Sequence, residues 1–261
     1  MTIDVVPTPQ PVPARINRVA VDRPWSWLAA GWRDLMAAPH VGFAFGAGLT
    51  AAGWALAALL LQAGIAWAIL PATAGFFLLA PLLAAGLYET SRRREQGEPV
   101  ALALALRGAL TRNPSQLALA GVALLLLHLF WVRVAGPLFA LFFGLGPAAP
   151  LDALPMAVLR SDLFLPFLAV GTAAGAVLAL AAFAVSAVSI PMLVDRPEVS
   201  APEAMLRSVQ AVAENPRAMA FWAGLIVVLT AMALLPFFLG LAFVLPLVGH
   251  ATWHAYRDLV P

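Results

Sequence analysis

The stretch NPSQLALAGVALLLLHLFWVRV, residues 113–134, decides the fold. Asn113 and Pro114 end one segment and open another, and from Leu117 to Val134 only His128 and Arg133 interrupt an apolar run. A helix needs about 20 apolar residues to cross the hydrocarbon core of a bilayer. Proline costs nothing at the first helical position, where the missing N–H would have no intrahelical partner. The same device occurs at Ala38-Pro39 and Asn215-Pro216, each preceded by an amphipathic segment and followed by an apolar one. The pattern predicts an all-α, polytopic membrane protein: six transmembrane helices as three hairpins, each preceded by an amphipathic interfacial helix.

Composition agrees. Hydrophobic residues make up 62% of the 261 and charged residues 11%, with a mean hydropathy of +0.91. Soluble domains carry about a quarter charged residues, so a water-soluble fold is excluded. There is no cysteine, which removes disulfides, thiolate metal sites and cysteine nucleophiles. The basic residues are all arginine, scattered at helix ends; a nucleic-acid binder would gather them on one face among stacking aromatics. Residues 1–23, with Pro7, Pro9, Pro11, Pro13, Arg15, Arg18 and Arg23, lack the apolar core of a signal peptide. They are expected to form a disordered cytoplasmic tail ahead of a membrane domain spanning 24–261.

The first unit, about 24–91, opens with Trp25, Leu28, Trp32, Leu35 and Met36 on one helical stripe, with Ser26, Arg33 and Asp34 off it. Crossings are expected at about 41–61 and 71–89, joined by a short turn anchored by Trp67. The second unit, about 99–194, has Leu102, Leu106 and Leu110 four apart, then a crossing from Gln116 to about Val134 that Gly136-Pro137 should break. Leu138 to Phe143 should then lie at the outer interface. A polar loop with Asp152, Arg160 and Asp162 leads to a fourth crossing at about 163–185, continuing to Val194 with a bend near Pro191. In the third unit, about 200–258, Ser200 and Glu203 have capping-box spacing. Met205, Leu206, Val209, Val212 and Ala213 form one face there. Asn113 and Asn215 are expected to cap the helices that follow them. The tract from Met219 to His254 is too long for one crossing, and Pro236 divides it into a fifth and a sixth.

Arginine placement sets the orientation. Arg15, Arg18, Arg23, Arg33, Arg92, Arg93, Arg94, Arg107, Arg112, Arg196, Arg207, Arg217 and Arg257 fall on one side, against Arg160 and, near its edge, Arg133. By the positive-inside rule the first side, with both termini, is cytoplasmic.

Few side chains suggest chemistry. His250 and His254 lie one helical turn apart, a spacing that lets two imidazoles face one haem or metal. A pH-sensing role is open to them too. The bland alternative is an interfacial belt, with Trp25, Trp32, Trp253 and Tyr256 as anchors at headgroup depth. His40 could approach the two histidines if the first and third hairpins are neighbours. His128 and Arg133 are intramembrane ionisable groups, which count as functional candidates; Arg133 can also snorkel outward beside Trp131. No acidic residue or lysine lies near the middle of any crossing, which weakens ion-coupled transport. No catalytic motif is present, so a non-enzyme is expected. Gly42-x-x-x-Gly46 and Gly171-x-x-x-Gly175 permit close helix contact within the chain or between copies.

Several runs resemble the bacterial family called domain of unknown function 2189, predicted integral membrane proteins. They are Arg23-Pro24-Trp25, Gly31-Trp32-Arg33-Asp34-Leu35, Gly86-Leu87-Tyr88-Glu89, Pro191-Met192-Leu193 and, most specifically, Gly249-His250-Ala251-Thr252-Trp253-His254-Ala255-Tyr256-Arg257-Asp258. The likeness runs over about 23–260. Some members carry a cytochrome c oxidase subunit label, which implies a tie to respiratory oxidases. Four histidines are too few for a catalytic subunit holding two haems and a copper. The resemblance and composition together imply an inner-membrane accessory or scaffold protein, with the bilayer and a membrane-protein partner or second copy as company and no cofactor. A channel for a small neutral or lipidic solute past Thr50, His128 and Thr230, and a haem- or metal-binding protein using His250 and His254, are the alternatives.

Overall fold

The computed structural model describes residues 15–64, 69, 73, 80–144, 158 and 160–261. Among these are ten helices and no strand: α1 Arg23–Ala37, α2 Pro39–Gln62, α3 Ala85–Glu95, α4 Leu102–Thr111, α5 Pro114–Phe143, α6 Phe164–Ser186, α7 Ser189–Asp195, α8 Ala201–Glu214, α9 Pro216–Leu234 and α10 Leu241–Leu259. Four stretches are long and apolar enough to cross a membrane, namely Pro39–Gln62, Pro114–Phe143, Phe164–Asp195 and Pro216–Leu234. The expected second crossing, the turn with Trp67 and the loop with Asp152 fall largely or wholly outside the described residues. Residues 1–14 of the expected tail do too.

The chain has two layers. At the arginine-rich end, a base is built from α1, α3, α7, α8 and the C-terminal half of α10. Its core gathers Trp27, Leu87, Tyr88, Ile190, Met192, Met219, Trp222, Trp253 and Tyr256. From it rise α2, the α5–α6 hairpin and the α9–α10 hairpin, whose outward faces carry exposed leucine, valine and phenylalanine. Exposed apolar surface on that scale requires lipid or protein cover.

The three amphipathic helices form where expected, but each turns a different face inward. In α8 the buried positions are Ala201, Ala204, Ser208 and Ala211, while Leu206 and Val209 point out. In α4 they are Ala105 and Gly108, while Leu102, Leu106 and Leu110 are exposed. In α1, Pro24, Trp27, Gly31, Asp34 and Leu35 face the protein, and Trp25, Trp32 and Met36 face out. Small side chains let these helices approach the base closely. The large apolar stripe is left exposed, for lipid or protein to cover.

Three local expectations change. Pro137 does not end its helix: α5 continues to Phe143, where Phe139, Phe142 and Phe143 close on Phe167 of α6. Inside lipid an interrupted helix would strand backbone groups, so continuation past one lost bond is the cheaper course. The fourth crossing bends at Ala187-Val188, and Pro191 sits within the first turn of α7. Asn113 and Asn215 do not cap α5 and α9 with their side chains. Asn113 Nδ2 donates to the Val199 carbonyl (3.1 Å), and Asn215 ties in the N-terminal segment, accepting from Val19 N–H (2.8 Å) and donating to the Asn17 carbonyl (2.9 Å). Ile16 is buried, and Asn17 N–H donates to the Leu259 carbonyl (2.9 Å), so the part of the expected tail next to α1 is docked on the base. By contrast, Ser200 caps α8 as its spacing predicts, accepting from Glu203 N–H.

Candidate functional site: a buried polar layer

The centre of the base is α3, whose sequence AGLYETSRRRE has the polar composition of a surface helix yet is buried from Ala85 through Arg92. Burial of so many polar groups is tolerable only if each finds a partner. Glu89, Ser91, Arg92, Arg93 and Arg94 do so in two clusters, and Thr90 bonds back to the Gly86 carbonyl.

In the first, the Glu89 carboxylate is wholly enclosed. Arg92 grips it with Nε and a terminal nitrogen (2.7 and 2.9 Å), and Arg93 Nε adds a third bond (2.7 Å). Arg92 also donates to Gln96 and, with Arg93, pairs with Glu98. Such forked, charge-assisted bonds are the strong kind. They hold Arg92 protonated more firmly than usual, the Glu89 bond outweighing the cost of burial. Gly108 of α4 lies against this carboxylate so closely that a Cβ there would sit 2.6 Å from it.

The second cluster joins α1, α3 and α10. Asp34 Oδ2 accepts from Ser91 Oγ (2.6 Å) and His254 Nε2 (2.9 Å), and Oδ1 accepts from Arg94 Nε (3.0 Å). Burial pushes the Asp34 pKa upward, but bonds from His254, Ser91 and Arg94 overcome it and hold the group at about 2. Ser91 Oγ also lies 2.8 Å from His250 Nδ1. A hydroxyl has one proton, and an ionised Asp34 can only accept, so Ser91 donates to Asp34 and His250 Nδ1–H donates to Ser91. That assignment leaves His250 Nε2 a bare acceptor, buried and without a partner among the described residues, facing Gly42 of α2. Beyond His254 the network runs on through Glu95, Arg257, Asp195 and Tyr256, whose hydroxyl donates to Asp195 (2.7 Å). At the outer edge Asp258 accepts from Arg23 (2.7 and 2.9 Å) and from the Trp27 indole (2.9 Å). The Arg23 bond leads in holding its pKa below the usual range.

These distances place the candidate residues. His250 and His254 are brought together with Asp34 and Ser91 inside the base. Trp253 and Tyr256 are buried in the core, so they are not interfacial anchors; their helix is wrapped by α1, α3 and α9. Trp25 and Trp32 are exposed, at 57% and 45%. His40 is exposed at the start of α2 and is not in the network, even though the first and third hairpins are neighbours. Arg133 is exposed on α5, and His128 is half-buried with Nδ1 unpartnered among the described residues. No group of three His, Asp or Glu side chains converges as a metal site would, among the described residues. The histidines do not fit a haem either, since His254 Nε2 is spent on Asp34 and His250 Nε2 is enclosed against Gly42. Thr50 lines an apolar cavity of about 150 Å³ with Leu49, Gly53, Leu56, Phe238 and Leu241, and neither His128 nor Thr230 reaches it.

Sequence reasoning missed Asp34, Glu89 and Ser91. For Asp34 the signal was present: Trp27, Gly31 and Asp34 fall at i, i+4 and i+7, a second stripe set beside the more obvious tryptophan one. For Glu89 the signal was the i, i+3 and i, i+4 spacing to Arg92 and Arg93, masked because those arginines also satisfy the positive-inside pattern, and for Ser91 no local signal existed, because Asp34 and His250 are distant in sequence.

The glycine pairs divide. Gly46 packs on the Ala242 backbone and Gly42 against Leu35, Pro246 and His250, so the first pair serves contact between α2 and α10 within the chain. Gly171 and Gly175 meet Leu138 and Trp131 at ordinary distances.

No curated protein and no solved structure matches the chain. Residues 68–195, which hold α3 to α7, match the domain of unknown function 2189 family, described as predicted integral membrane protein, and the match ends before the C-terminal run that carried most of the resemblance; with four stretches long and apolar enough to cross a bilayer, the chain is an integral membrane protein.

Proposed function

We propose that this chain is a non-enzymatic accessory or scaffold protein of the bacterial inner membrane, with both termini on the cytoplasmic, arginine-rich side. The observation that carries this reading is how the charges of the base are spent. Asp34, Glu89, Glu95, Asp195 and Asp258 each bind arginine, histidine, tyrosine or tryptophan of another segment, or of the same helix. That is a lock, holding a rigid platform from which α2 and α5–α6 project with Leu59, Leu126, Leu165, Val177 and Leu180 exposed. On this reading α2 supplies one crossing and the α5–α6 hairpin two; the third unit is taken up below.

Ser91, His250 and Asp34 are the residue types of a hydrolytic site, but a nucleophilic serine must give its proton to histidine. Here Ser91 gives it to the carboxylate, and all three are enclosed. A solute path would need polar groups in series, and the cavity beside Thr50 is apolar and lacks the other two expected members. The oxidase label of the family supplies only the first partner to look for.

Purification of the tagged chain from native membranes in mild detergent tests the reading. A membrane protein, or a second copy, retained in fixed stoichiometry is the expected result. A lone monomer that conducts a neutral solute in reconstituted vesicles would overturn it, and a Soret band or bound metal lost in His254→Ala would replace it with a cofactor role.

A further inference from the structure

We propose that the α9–α10 hairpin does not cross the membrane but re-enters it from the cytoplasmic side, its apolar tip stopping near mid-depth. Three independent observations lead there.

The first is height. Gly42 of α2 lies beside Pro246 and His250 of α10, Gly46 lies beside Ala242, and the Trp54 indole donates to the Phe237 carbonyl at the tip (2.7 Å). The two helices therefore climb in register from the polar layer. At 1.5 Å per residue, α2 rises about 30 Å from Gly42 to Gln62, enough to cross the hydrocarbon core. α10 rises only about 12 Å from Gly249 to Leu241 before the chain turns. The tip is level with Trp54, and α2 goes on for about 12 Å more. α9 has the length to cross, but its first turns are spent beside the base, where Trp222 packs on Trp27 and Phe221 on Trp25.

The second is composition. The turn reads Leu235-Pro236-Phe237-Phe238-Leu239-Gly240, with Leu235 and Phe237 both 81% exposed. Beyond the turn formers Pro236 and Gly240 it holds none of the Asn, Asp or Ser that turns meeting water use. The connection from α5 into α6 shows the contrast, with Arg160, Ser161 and Asp162 where it is described.

The third is the backbone. Irregular chain in hydrocarbon must satisfy its own polar groups. Carbonyls of Leu234, Pro236, Phe238, Leu239 and Gly240 accept from N–H groups three or four residues on, and Trp54 takes that of Phe237. To close so tightly the chain places Phe237 and Phe238 at φ 49° and 67°, the left-handed region that bulky residues avoid. Strain is accepted there while water-seeking groups are not exposed.

The chain has no cysteine, so single cysteines report without background. Spin labels at Phe237→Cys and, as a second tip position, Leu239→Cys are compared with Ala63→Cys at the end of α2, in vesicles of phosphatidylethanolamine and phosphatidylglycerol. The expected result is collision with a water-soluble nickel chelate about tenfold lower at both tip positions than at Ala63, with oxygen collision high, as hydrocarbon depth dictates. Chelate access at the tip equal to that at Ala63 would overturn the proposal, because it would place the tip in the far headgroup layer.

Discussion

In two regions of this molecule helices meet against glycine, and the contacts are made differently. Where α1 and α2 meet α10, a Cβ at Gly31 would stand 2.6 Å from the Ala251 nitrogen, and one at Gly46 would stand 2.1 Å from the Ala242 carbonyl oxygen, backbone on backbone. Where α5 meets α6, a Cβ at Gly175 would sit 3.5 Å from the Trp131 ring, an ordinary contact, and the pair is finished by a cluster of phenylalanines at its far end. The first contact is a fixed register on a polar platform. The second is a greasy pairing that tolerates adjustment. Stability is therefore concentrated in the base, and among the described residues α5 and α6 meet each other through packing.

The sharpest way to break that contrast is Glu89→Ala. It leaves Arg92 buried and Arg93 half-buried without their shared carboxylate, and breaking a buried pair on one side costs about 3–5 kcal/mol. The thermal aggregation midpoint in mild detergent should fall far below wild type. An unchanged midpoint would mean that the platform is not the stable part.

Next, Gly46→Ala should cost at least about 1–3 kcal/mol, as overpacking does, because backbone rather than a flexible side chain must give way. Gly175→Ala should instead be neutral or stabilise by up to about 1 kcal/mol through helix propensity. Equal losses from the two would erase the distinction between the pairs.

Acid should act on the base and not on the hairpin. Asp34 titrates at about 2 in the folded chain against 3.8 when unperturbed. Its contribution, about 2 kcal/mol, is present in full above pH 4 and is lost as pH falls through the folded value. Unfolding measured between pH 5 and 2 should show that slope in wild type and a shallower one in Asp34→Asn. A slope unaltered by the substitution would assign the acid sensitivity to other carboxylates.

Helix existence was legible in residues such as Pro39, Pro114 and Pro216, because proline and long apolar runs act locally. Which face each helix buries was not. Large apolar residues normally mark the core, but in α4 and α8 they mark the lipid, and the inward stripe is alanine, glycine and serine. The arginines misled for a related reason. Arg92, Arg93 and Arg94 enter the count that predicts orientation, yet they bind Glu89 and Asp34, and a count of charges sees nothing of that role. The height of the third hairpin was hidden too, since apolar length from Met219 onward says nothing about how much of it lies beside the base.

The smallest effect belongs to the residue that looked most functional. His128 sits in α5 with exposed Leu126, Leu129 and Phe130 around it, and its Nδ1 has no partner among the described residues. A lone polar group in that setting contributes desolvation cost and no bond, so His128→Leu replaces it with matching surface and should leave stability unchanged or slightly raised. The same substitution should leave any co-purifying partner in place if the hairpin is held by packing. Loss of that partner with the midpoint intact would show instead that the imidazole is part of what the arm recognises, and the projecting pair would then carry specificity that its loose glycine contacts do not reveal.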